Sequence, residues 1–375
     1  MMRILLTGGG TAGHINPAIA IADTIKRNCK EAEIAFVGTP EGMERRLVKE
    51  AGYSFFPVRV QGFQRSLSLK NLQAAWLALT SPRAAAGIIT DFCPSLVIGT
   101  GGYVCWPLLR AAARMGIPTA LHESNAVPGL ATRRLAPYMD AIWLNFKETA
   151  NALPAHCVSP LQVGNPLRQG FSSVSRAVAR QELKLREQDF MILSFGGSRG
   201  AEALNDAALH FMKSSLPQHP QLYHVHACGE KHYEACRQVL GEKKSDRCVL
   251  LPYISKMATY MSAADIIVCR AGAMTISELA LCGKCAILVP SPHVAGDHQR
   301  KNAELLVNNG AACLLEEQNL PRNKLENLIF SLLKSEKERV SMQKKIKKFA
   351  TPDANAKIYQ QILLLAEKTK ADRNC

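Results

Sequence analysis

The amino-acid sequence predicts an α/β protein with two doubly wound, parallel-sheet domains. Short aliphatic or β-branched runs alternate with longer helical patterns, which is typical of parallel strands joined by crossover helices. At 375 residues the chain is too long for one ordinary hydrophobic core. The alternation also starts afresh in the second half of the chain, after a polar stretch. These three observations together predict two Rossmann-like units.

Six strands are predicted in each half, with helices in the gaps between them. The first set is Arg3–Leu6, Glu33–Val37, Ser54–Val60, Ser95–Ile98, Thr119–His122 and Ala141–Leu144. The second set is Phe190–Phe195, Gln221–Ala227, Cys248–Pro252, Ile266–Cys269, Ala286–Val289 and Ala312–Leu315. Gly164-Asn165-Pro166 and a charged stretch follow the first set, so the domain boundary is expected near Val163. A cleft at the carboxyl ends of both sheets is the expected ligand site.

Composition places the chain among globular proteins and excludes disordered or fibrous classes, with 47% hydrophobic and 21% charged residues. No run of 18 apolar residues occurs, and a strand pattern replaces a secretory signal at the start, so a cytosolic location is expected. The twelve cysteines are scattered through apolar segments and are expected to be reduced. Cys282 and Cys285 have the spacing of half a zinc site, but no second pair matches them.

The chain is strongly basic, with 46 Lys and Arg against 31 Asp and Glu and a net charge of +15. This excess favours phosphates, nucleic acid or an anionic membrane as partners. Nucleic acid is the weaker interpretation, since no recognition motif is present and only 6% of residues are aromatic and available for base stacking.

Three glycine-rich turns follow predicted strands and precede helical patterns. They are Thr7–His14, Gly99–Tyr103 and Gly196–Gly200. Glycine lets the backbone approach an anion closely, and a helix N-terminus stabilises negative charge. Three such turns in matching positions predict a substrate with more than one diphosphate, or two diphosphate substrates. Tight-turn geometry alone is a sufficient explanation for any single turn.

The first turn does not fit two familiar nucleotide sites. Gly8, Gly10 and Gly13 satisfy the dinucleotide pattern, but the second strand ends in Val37-Gly38-Thr39 without the acidic residue that NAD binding needs. A P-loop is excluded because no Gly-Lys-Ser/Thr follows. Pro17 is expected to open the next helix.

A further segment, Arg270–Glu278, places small residues between the strand Ile266–Cys269 and a helix N-terminus. Backbone amides there suit a diphosphate, and the Glu278 carboxylate suits two vicinal ribose hydroxyls. A favourable charge near the helix N-terminus is the alternative role for Glu278.

In their order along the chain, these motifs resemble the bacterial MurG family, which transfers N-acetylglucosamine from UDP-N-acetylglucosamine to lipid I and so makes lipid II. The resemblance covers nearly the whole chain and rests on Gly9–His14, Gly101–Val104, His122–Asn125, Gly164–Pro166, Gly196–Ala201 and Arg270–Glu278. It implies the GT-B fold, with residues 1–163 on the lipid-acceptor and membrane side and residues 164–349 binding the donor. The last helix, residues 350–375, would return to the first domain.

The resemblance also implies roles for individual positions. The family's donor contacts fall on Thr11, Ala12, Gly13, Asn125, Arg168, Ser198, Ile254, Ala273, Met274, Thr275, Ile276, Ser277, Glu278 and Gln299. The acceptor diphosphate would lie against Gly10, Gly13, His14, Gly101, Gly102 and Tyr103. Among the donor contacts, Arg168 would neutralise the diphosphate, and Gln299 carries both a donor and an acceptor for sugar hydroxyls. The sequence departs from the family pattern at Ala12, Cys105, Arg199 and His298.

The implied reaction inverts the anomeric centre in one displacement, so a base must take the proton of the acceptor hydroxyl. His14 is the candidate base, and a hydrogen bond to phosphate or to a backbone carbonyl is its alternative role. No cofactor and no metal are expected, because the chain contains no Asp-x-Asp motif. Other GT-B lipid glycosyltransferases and UDP-N-acetylglucosamine epimerases remain the nearest alternatives.

The segment Leu67–Ile89 combines large apolar residues with nearby Arg65, Lys70 and Arg83. Its apolar positions Leu69, Leu72, Trp76 and Leu79 are candidates for contact with an anionic membrane, and ordinary packing against the core is the alternative. A peripheral location at the cytoplasmic face of the membrane follows from this interpretation. Cell-wall synthesis or division proteins are partners that the resemblance implies.

Overall fold

The structure is a computed structural model that describes residues 2–62, 69–168, 170–171, 174–197, 200–241 and 246–373. The chain divides into two compact units, Met1–Leu167 with Thr351–Cys375 and Arg168–Ala350. Within the described ranges, no helix is both long and apolar enough to cross a membrane.

Strands and helices alternate along the chain and are numbered here in chain order. The strands are β1 Arg3–Thr7, β2 Glu33–Gly38, β3 Ser54–Pro57, β4 Leu96–Gly99, β5 Thr119–Glu123, β6 Ala141–Leu144, β7 Leu161–Gln162, β8 Phe190–Phe195, β9 Leu222–Ala227, β10 Cys248–Leu251, β11 Ile266–Cys269, β12 Cys285–Leu288 and β13 Cys313–Leu314. The helices are α1 Ala12–Asn28, α2 Met43–Glu50, α3 Leu69–Phe92, α4 Cys105–Arg114, α5 Leu130–Leu135, α6 Arg176–Glu182, α7 Glu202–Ser214, α8 Tyr233–Leu240, α9 Met257–Ala263, α10 Ala273–Cys282, α11 His298–Asn308, α12 Lys324–Lys334, α13 Glu336–Ile346 and α14 Ala354–Arg373.

Each unit contains one sheet, and the strand pairs within the described residues are parallel. The first sheet has the order β3-β2-β1-β4-β5-β6-β7, and the second has the order β10-β9-β8-β11-β12-β13. In each sheet the chain first adds strands on one side of its first strand and then continues on the other side. The strand order therefore reverses between β1 and β4 in the first sheet and between β8 and β11 in the second. Ligands of doubly wound sheets bind beside that reversal, so each unit has one favoured position for a site. The predicted fold class is confirmed.

Alternation of side chains along β1 builds the two halves of the core of the first unit. Ile4 and Leu6 pack on one face of the sheet, together with Ile358 and Ile362 of the last helix, α14. Leu5 points to the opposite face and packs with Leu108 and other residues of α4. Because both faces are covered, the three central residues of the strand are all apolar, as is usual in parallel strands.

Three local predictions differ from the structure. Strand β3 ends at Pro57, short of Val60, because its partner β2 ends at Gly38 and offers no further backbone to pair with. Helix α1 begins at Ala12 and contains Pro17 in its second turn, so Pro17 does not open it. The two-residue strand β7 was not predicted, because both of its residues are exposed and show no apolar pattern.

A chain of buried polar side chains crosses the core of the second unit. The hydroxyl of Ser194 on β8 lies 2.8 Å from Nε2 of His224 and 2.7 Å from Nδ1 of His226, both on β9. Nε2 of His226 lies 3.1 Å from Oδ1 of Asn205, whose amide nitrogen donates to the carbonyl of Cys228. That donation orients the Asn205 amide, so His226 carries its proton on Nε2 and accepts from Ser194 on Nδ1. Ser194 in turn accepts from His224, and both imidazoles are neutral.

Charging these imidazoles opposes folding. Burial lowers the pKa of His226 to about 4, and burial with the neighbouring His226 lowers the pKa of His224 well below its usual value. Because the unfolded chain binds protons more readily between pH 6.5 and 4, stability falls as the pH falls through this window.

We therefore expect acid to begin destabilising the second unit near pH 6.5, before ordinary carboxylates titrate. The contribution of His226 amounts to about 3 kcal/mol lost between pH 6.5 and pH 4. Denaturant unfolding at pH 7 and pH 5, followed by circular dichroism, measures the loss. The variant His224→Leu removes one buried imidazole and should show a shallower pH dependence. An equal free energy of unfolding for the parent chain at both pH values would contradict the expectation.

Candidate functional site

The glycine turns after β1 and β4 lie against each other at the reversal point of the first sheet. The amide of Gly9 donates to the carbonyl of Gly101 over 3.4 Å. The hydroxyl of Thr100 lies 2.6 Å from the carbonyl oxygen of His14 and 3.3 Å from that of Thr7. These contacts bring the first and second glycine turns, which are about 90 residues apart in sequence, into one cluster.

The ring of His14 passes directly over the second turn, which leaves no room for side chains there. A Cβ atom on Gly101 would lie 2.7 Å from Cδ2 of His14, and one on Gly102 would lie 2.2 Å from the carbonyl oxygen of Gly9. Both glycines also have positive φ angles, 104° and 84°. Glycine is therefore required at both positions by the contact with the first turn.

One hydrogen bond determines the tautomer of His14. Its Nδ1 lies 3.1 Å from the carbonyl oxygen of Gly9 and 3.3 Å from the hydroxyl of Thr11. Because a carbonyl oxygen only accepts, the neutral ring carries its proton on Nδ1 and leaves Nε2 unprotonated. This is the form that a general base needs.

Tyr103 lies beside the first turn, so the residues predicted to bind the acceptor are close together. A Cβ on Gly10 would lie 3.1 Å from Cε1 of Tyr103, and one on Gly62 would lie 3.0 Å from Cδ1 of the same ring. Burial, and secondarily the charge of Glu44, raises the pKa of the Tyr103 hydroxyl. Gly13 lies in the first turn of α1, next to His14.

Glu44 belongs to this cluster and was missed by the sequence analysis. Its carboxylate accepts from the amide of Thr39 over 3.0 Å and from the Thr39 hydroxyl, and it lies 3.5 Å from the amide nitrogen of Gly10. The residue is 2% exposed. An acidic residue in the first turn of α2 is common in soluble helices, so its position in the sequence carried no functional signal.

Asn125 is oriented by a second buried carboxylate, that of Glu123 at the end of β5. Glu123 accepts from the backbone and side-chain amides of Asn125, over 3.0 and 3.1 Å, from the amide of Gly129, and from the hydroxyl of Thr132 in α5. Since the amide nitrogen of Asn125 faces Glu123, its side-chain oxygen is turned the other way. Glu123 fixes this loop, although the sequence analysis gave it no role of its own.

In the second unit, a cavity of about 550 Å³ lies at the carboxyl edge of the sheet. Its lining includes Gly196 and Gly200 of the third glycine turn together with Ser291 and Gln299. A volume of this size suits a small-molecule ligand. Ser198, predicted to contact the donor, lies outside the described residues.

An ion pair positions the segment that holds Gln299. Arg270, at the end of β11, pairs with Glu317 and donates to the carbonyls of Val289 and Pro290 over 3.2 and 3.3 Å. The next amide, that of Ser291, donates to Oε1 of Gln299 over 2.9 Å. Gln299 therefore turns its amide N–H groups away from this segment. The expectation that Gln299 offers a donor and an acceptor to sugar hydroxyls stays a prediction.

Helix α10 follows β11 and starts at Ala273 after Gly272, so its N-terminus lies at the reversal point of the second sheet. Met274, Thr275, Ile276 and Ser277 form its first turns, and Glu278 follows them. Burial raises the pKa of Glu278 to about 8, while the charge of Arg168 opposes the rise.

The remaining donor positions take their places in separate elements. Thr11 and Ala12 lie at the start of α1 in the first unit. Ile254 follows β10 in the second unit and is 3% exposed, so its side chain is part of the core and only its backbone suits a ligand.

Three large apolar residues of α3 are exposed and lie along one side of the helix. Leu72, Trp76 and Leu79 are 68%, 64% and 77% exposed, and their spacing of four and three residues places them on one face. Arg83 follows on the same face and is also exposed. These three side chains do not pack into the core, which removes the alternative role considered for them. The side chain of Leu69 lies outside the described part of the chain.

Across the part of the chain that the structure describes, no three His, Cys, Asp or Glu side chains are grouped so as to hold a metal ion. The cysteines among these residues are free thiols. The Cys282 thiol lies 3.6 Å from the carbonyl oxygen of Phe171, whereas the Cys285 thiol lies 3.5 Å from the sulfur of Met342. The close Cys pair therefore has two separate environments.

Comparison with known proteins gives two matching domains. Residues 4–144 match the glycosyltransferase family 28 N-terminal domain, and residues 191–358 match the glycosyltransferase family 28 C-terminal domain. A UDP-N-acetylglucosamine–N-acetylmuramyl-(pentapeptide) pyrophosphoryl-undecaprenol N-acetylglucosamine transferase of Acetivibrio thermocellus is 40% identical, over 96% of this chain and 97% of that protein. The Bacillus subtilis protein of the same name is 35% identical, over 96% and 98%.

Solved structures give the same result for the fold. The crystal structure of Acinetobacter baumannii MurG matches with a TM-score of 0.75 and 29% identity, covering 98% of this chain and all of that one. A UDP-N-acetylglucosamine 2-epimerase from Neisseria meningitidis matches with a TM-score of 0.63 over 96% of this chain and all of that one. At 16% identity the second match supports the fold alone.

The pKa of Glu278 provides a direct test of the site geometry in the second unit. Because Arg168 opposes the effect of burial, the variant Arg168→Ala should raise the pKa of Glu278 above its value of about 8 in the parent. Carbon-detected NMR titration of the side-chain carboxyl measures both values. The variant Arg300→Ala, at an exposed arginine of the same unit, serves as the control. A Glu278 pKa near that of an exposed glutamate in the parent would contradict this geometry.

Proposed function

Because the chain belongs to glycosyltransferase family 28 and, within it, to the MurG family, we propose that it transfers N-acetylglucosamine from UDP-N-acetylglucosamine to the MurNAc 4-hydroxyl of lipid I. The product is lipid II, the precursor of peptidoglycan. The observation that carries the proposal is identity of 35–40% to transferases of this name over 96% of the chain. The glycine turns and helix N-termini of both units supply the anion-binding groups that two diphosphate substrates require.

The transfer is a single displacement that inverts the sugar. The oxygen of the acceptor hydroxyl forms a bond to the anomeric carbon while the bond from that carbon to UDP breaks, and UDP leaves with the electron pair. Nε2 of His14 takes the hydroxyl proton as the nucleophile commits. Because the hydrogen bond to Gly9 keeps the proton of the neutral ring on Nδ1, Nε2 is unprotonated and able to accept the hydroxyl proton.

The second unit holds the donor. The N-terminus of α10 and the guanidinium of Arg168 stabilise the negative charge of the leaving diphosphate, so we propose that no bound metal is needed. The carboxyl group of Glu278 accepts from the two ribose hydroxyls, and these hydrogen bonds favour its ionised form against the effect of burial. The amide N–H groups of Gln299 donate to a sugar oxygen, in the orientation that Ser291 fixes.

The first unit holds the lipid-linked acceptor and meets the membrane. We propose that the exposed face of α3, formed by Leu72, Trp76, Leu79 and Arg83, lies in the interfacial region of an anionic membrane. Large apolar side chains that are more than 60% exposed are unfavourable in water, and the nearby positive charge favours anionic lipids. The protein would then act as a peripheral enzyme on the cytoplasmic face, where its soluble donor is available.

Purified protein incubated with radiolabelled UDP-N-acetylglucosamine and a lipid I analogue tests the proposed function. The expected product is labelled disaccharide lipid, formed equally well with and without a chelator. Release of UDP with formation of a free epimerised sugar would instead indicate an epimerase. If labelling stops when a chelator is added, the proposal that no bound metal is needed would be contradicted, but the proposed transfer would not.

For the catalytic role of His14, we expect His14→Ala to lower kcat by about 10²-fold or more, with a modest change in the KM for the donor. Steady-state kinetics measure both constants. The variant His156→Ala, at an exposed histidine of the same unit, should behave as the parent does. A turnover within a few-fold of the parent would remove His14 from the role of base.

For membrane contact, we expect Trp76→Glu to weaken binding to vesicles that contain anionic lipid, and added salt to weaken binding of the parent. Vesicle co-sedimentation measures both effects. The variant Ala84→Glu adds the same charge at an exposed position of α3 that carries no large apolar side chain, and should weaken binding less. Unchanged sedimentation of Trp76→Glu would exclude α3 from the membrane contact.

A further inference from the structure

One peptide group of the first glycine turn is engaged at both ends. Its carbonyl oxygen, on Gly9, lies 3.1 Å from Nδ1 of His14. Its amide nitrogen, on Gly10, lies 3.5 Å from Oε2 of Glu44, at the outer limit of a hydrogen bond. The imidazole, the peptide group and the carboxylate therefore form a chain. The Nδ1–H group of His14 points at the Gly9 carbonyl, and the N–H group of Gly10 points at Glu44.

The chain makes space for the Glu44 carboxyl group with three glycines. A Cβ atom on Gly9 would lie 2.9 Å from its Cδ, one on Gly38 would lie 2.7 Å from its Cγ, and one on Gly42 would lie 2.2 Å from its Oε1. Any larger residue at these positions would displace Glu44. The location of this 2% exposed side chain is thus determined from three directions.

Two features of its surroundings fix the orientation of the Glu44 carboxyl group. Oε1 accepts from both the amide and the hydroxyl of Thr39. Glu44 is also the second residue of α2, where the partial positive charge of the helix N-terminus stabilises an anion. Because Thr39 occupies Oε1, the other oxygen, Oε2, is the one that faces the amide of the Gly9–Gly10 peptide group.

We infer that Glu44 is a positioning residue that acts on His14 through the Gly9–Gly10 peptide group. This inference rests on the proposed function. A carboxylate that accepts from a peptide N–H increases the negative charge on the carbonyl oxygen of the same group, since hydrogen bonds in a chain polarise one another. The Gly9 oxygen then holds the Nδ1 proton of His14 more strongly. It also stabilises the imidazolium that forms when Nε2 takes the proton of the acceptor hydroxyl.

Other titratable groups near His14 come from the turn after β4 and from β5. Burial raises the pKa of Cys105, which lies beneath Gly101, to about 12, and the pKa of Tyr103 is also raised. Both groups are neutral at physiological pH. Glu123 accepts four hydrogen bonds, from Asn125, Gly129 and Thr132. Of these groups, Glu44 is the one connected to His14 through a shared peptide group.

The variant Glu44→Gln removes the charge and keeps the shape of the side chain. Loss of the Glu44 carboxylate makes His14 a weaker base. The acid limb of kcat/KM against pH should therefore move to lower pH by about half a unit or more. On the plateau, kcat should fall about 3- to 30-fold. The matched control Thr39→Val removes the hydroxyl that donates to Glu44 but keeps the carboxylate, and its acid limb should stay in place.

A simple structural role for Glu44 makes a different prediction. That role would lower the plateau kcat of Glu44→Gln without moving the acid limb. If the variant melts within a few degrees of the parent and binds UDP normally, this result would overturn the action of Glu44 through the peptide group, which we call the relay. UDP binding reports the second unit, so a parent chain that binds UDP but forms no disaccharide lipid would count against the proposed function instead.

A measurement on the parent chain applies even if Glu44→Gln does not fold. Nitrogen NMR of labelled histidine distinguishes the two neutral tautomers of His14. The relay predicts the form protonated on Nδ1, because only that form donates to Gly9. A ring protonated mainly on Nε2 in its neutral state would overturn the relay regardless of the activity of any variant.

Discussion

The close approach of the turns after β1 and β4 is the constraint on which the proposed acceptor site depends. Thr100 bonds to the backbone of α1, and Gly102 lies against the carbonyl of Gly9. This contact places the His14 ring over a surface without side chains and directs its Nδ1 at a carbonyl oxygen. Both the tautomer of the imidazole and its close contact with the second turn depend on glycine at these positions. The chemistry of the first unit is therefore a consequence of backbone packing.

The second unit repeats the sheet order of the first but uses different means to orient its side chains. Its reversal point is flanked by the third glycine turn and by the N-terminus of α10. Here an ion pair between Arg270 and Glu317 holds the segment that orients Gln299. In the first unit the corresponding role falls to the buried carboxylates Glu44 and Glu123. In both units, the side chains that we propose to face a ligand are thus oriented by hydrogen bonds from or to ionisable groups.

The strands and glycine turns were predictable because each depends on residues that are near one another in sequence. Apolar runs reveal buried parallel strands, and glycines after such runs reveal turns at the carboxyl edge of the sheet. Glu44 was not predictable, since its role depends on contact with Gly9 and Gly10, more than 30 residues away. The pairing of Arg270 with Glu317 is equally remote in sequence. Local signals also failed at Pro17, where α1 tolerates the missing amide in its second turn.

The variant Gly102→Ala tests the importance of the contact between the two turns most directly. Gly116→Ala is its control, since Gly116 also has a positive φ angle, 66°, but a Cβ there would meet no atom within 4 Å. We predict that Gly102→Ala lowers kcat at least about 10-fold while UDP affinity stays at the parent value, and that Gly116→Ala keeps the parent kcat. Parent-like turnover by Gly102→Ala would contradict the account, because His14 would then not depend on this packing.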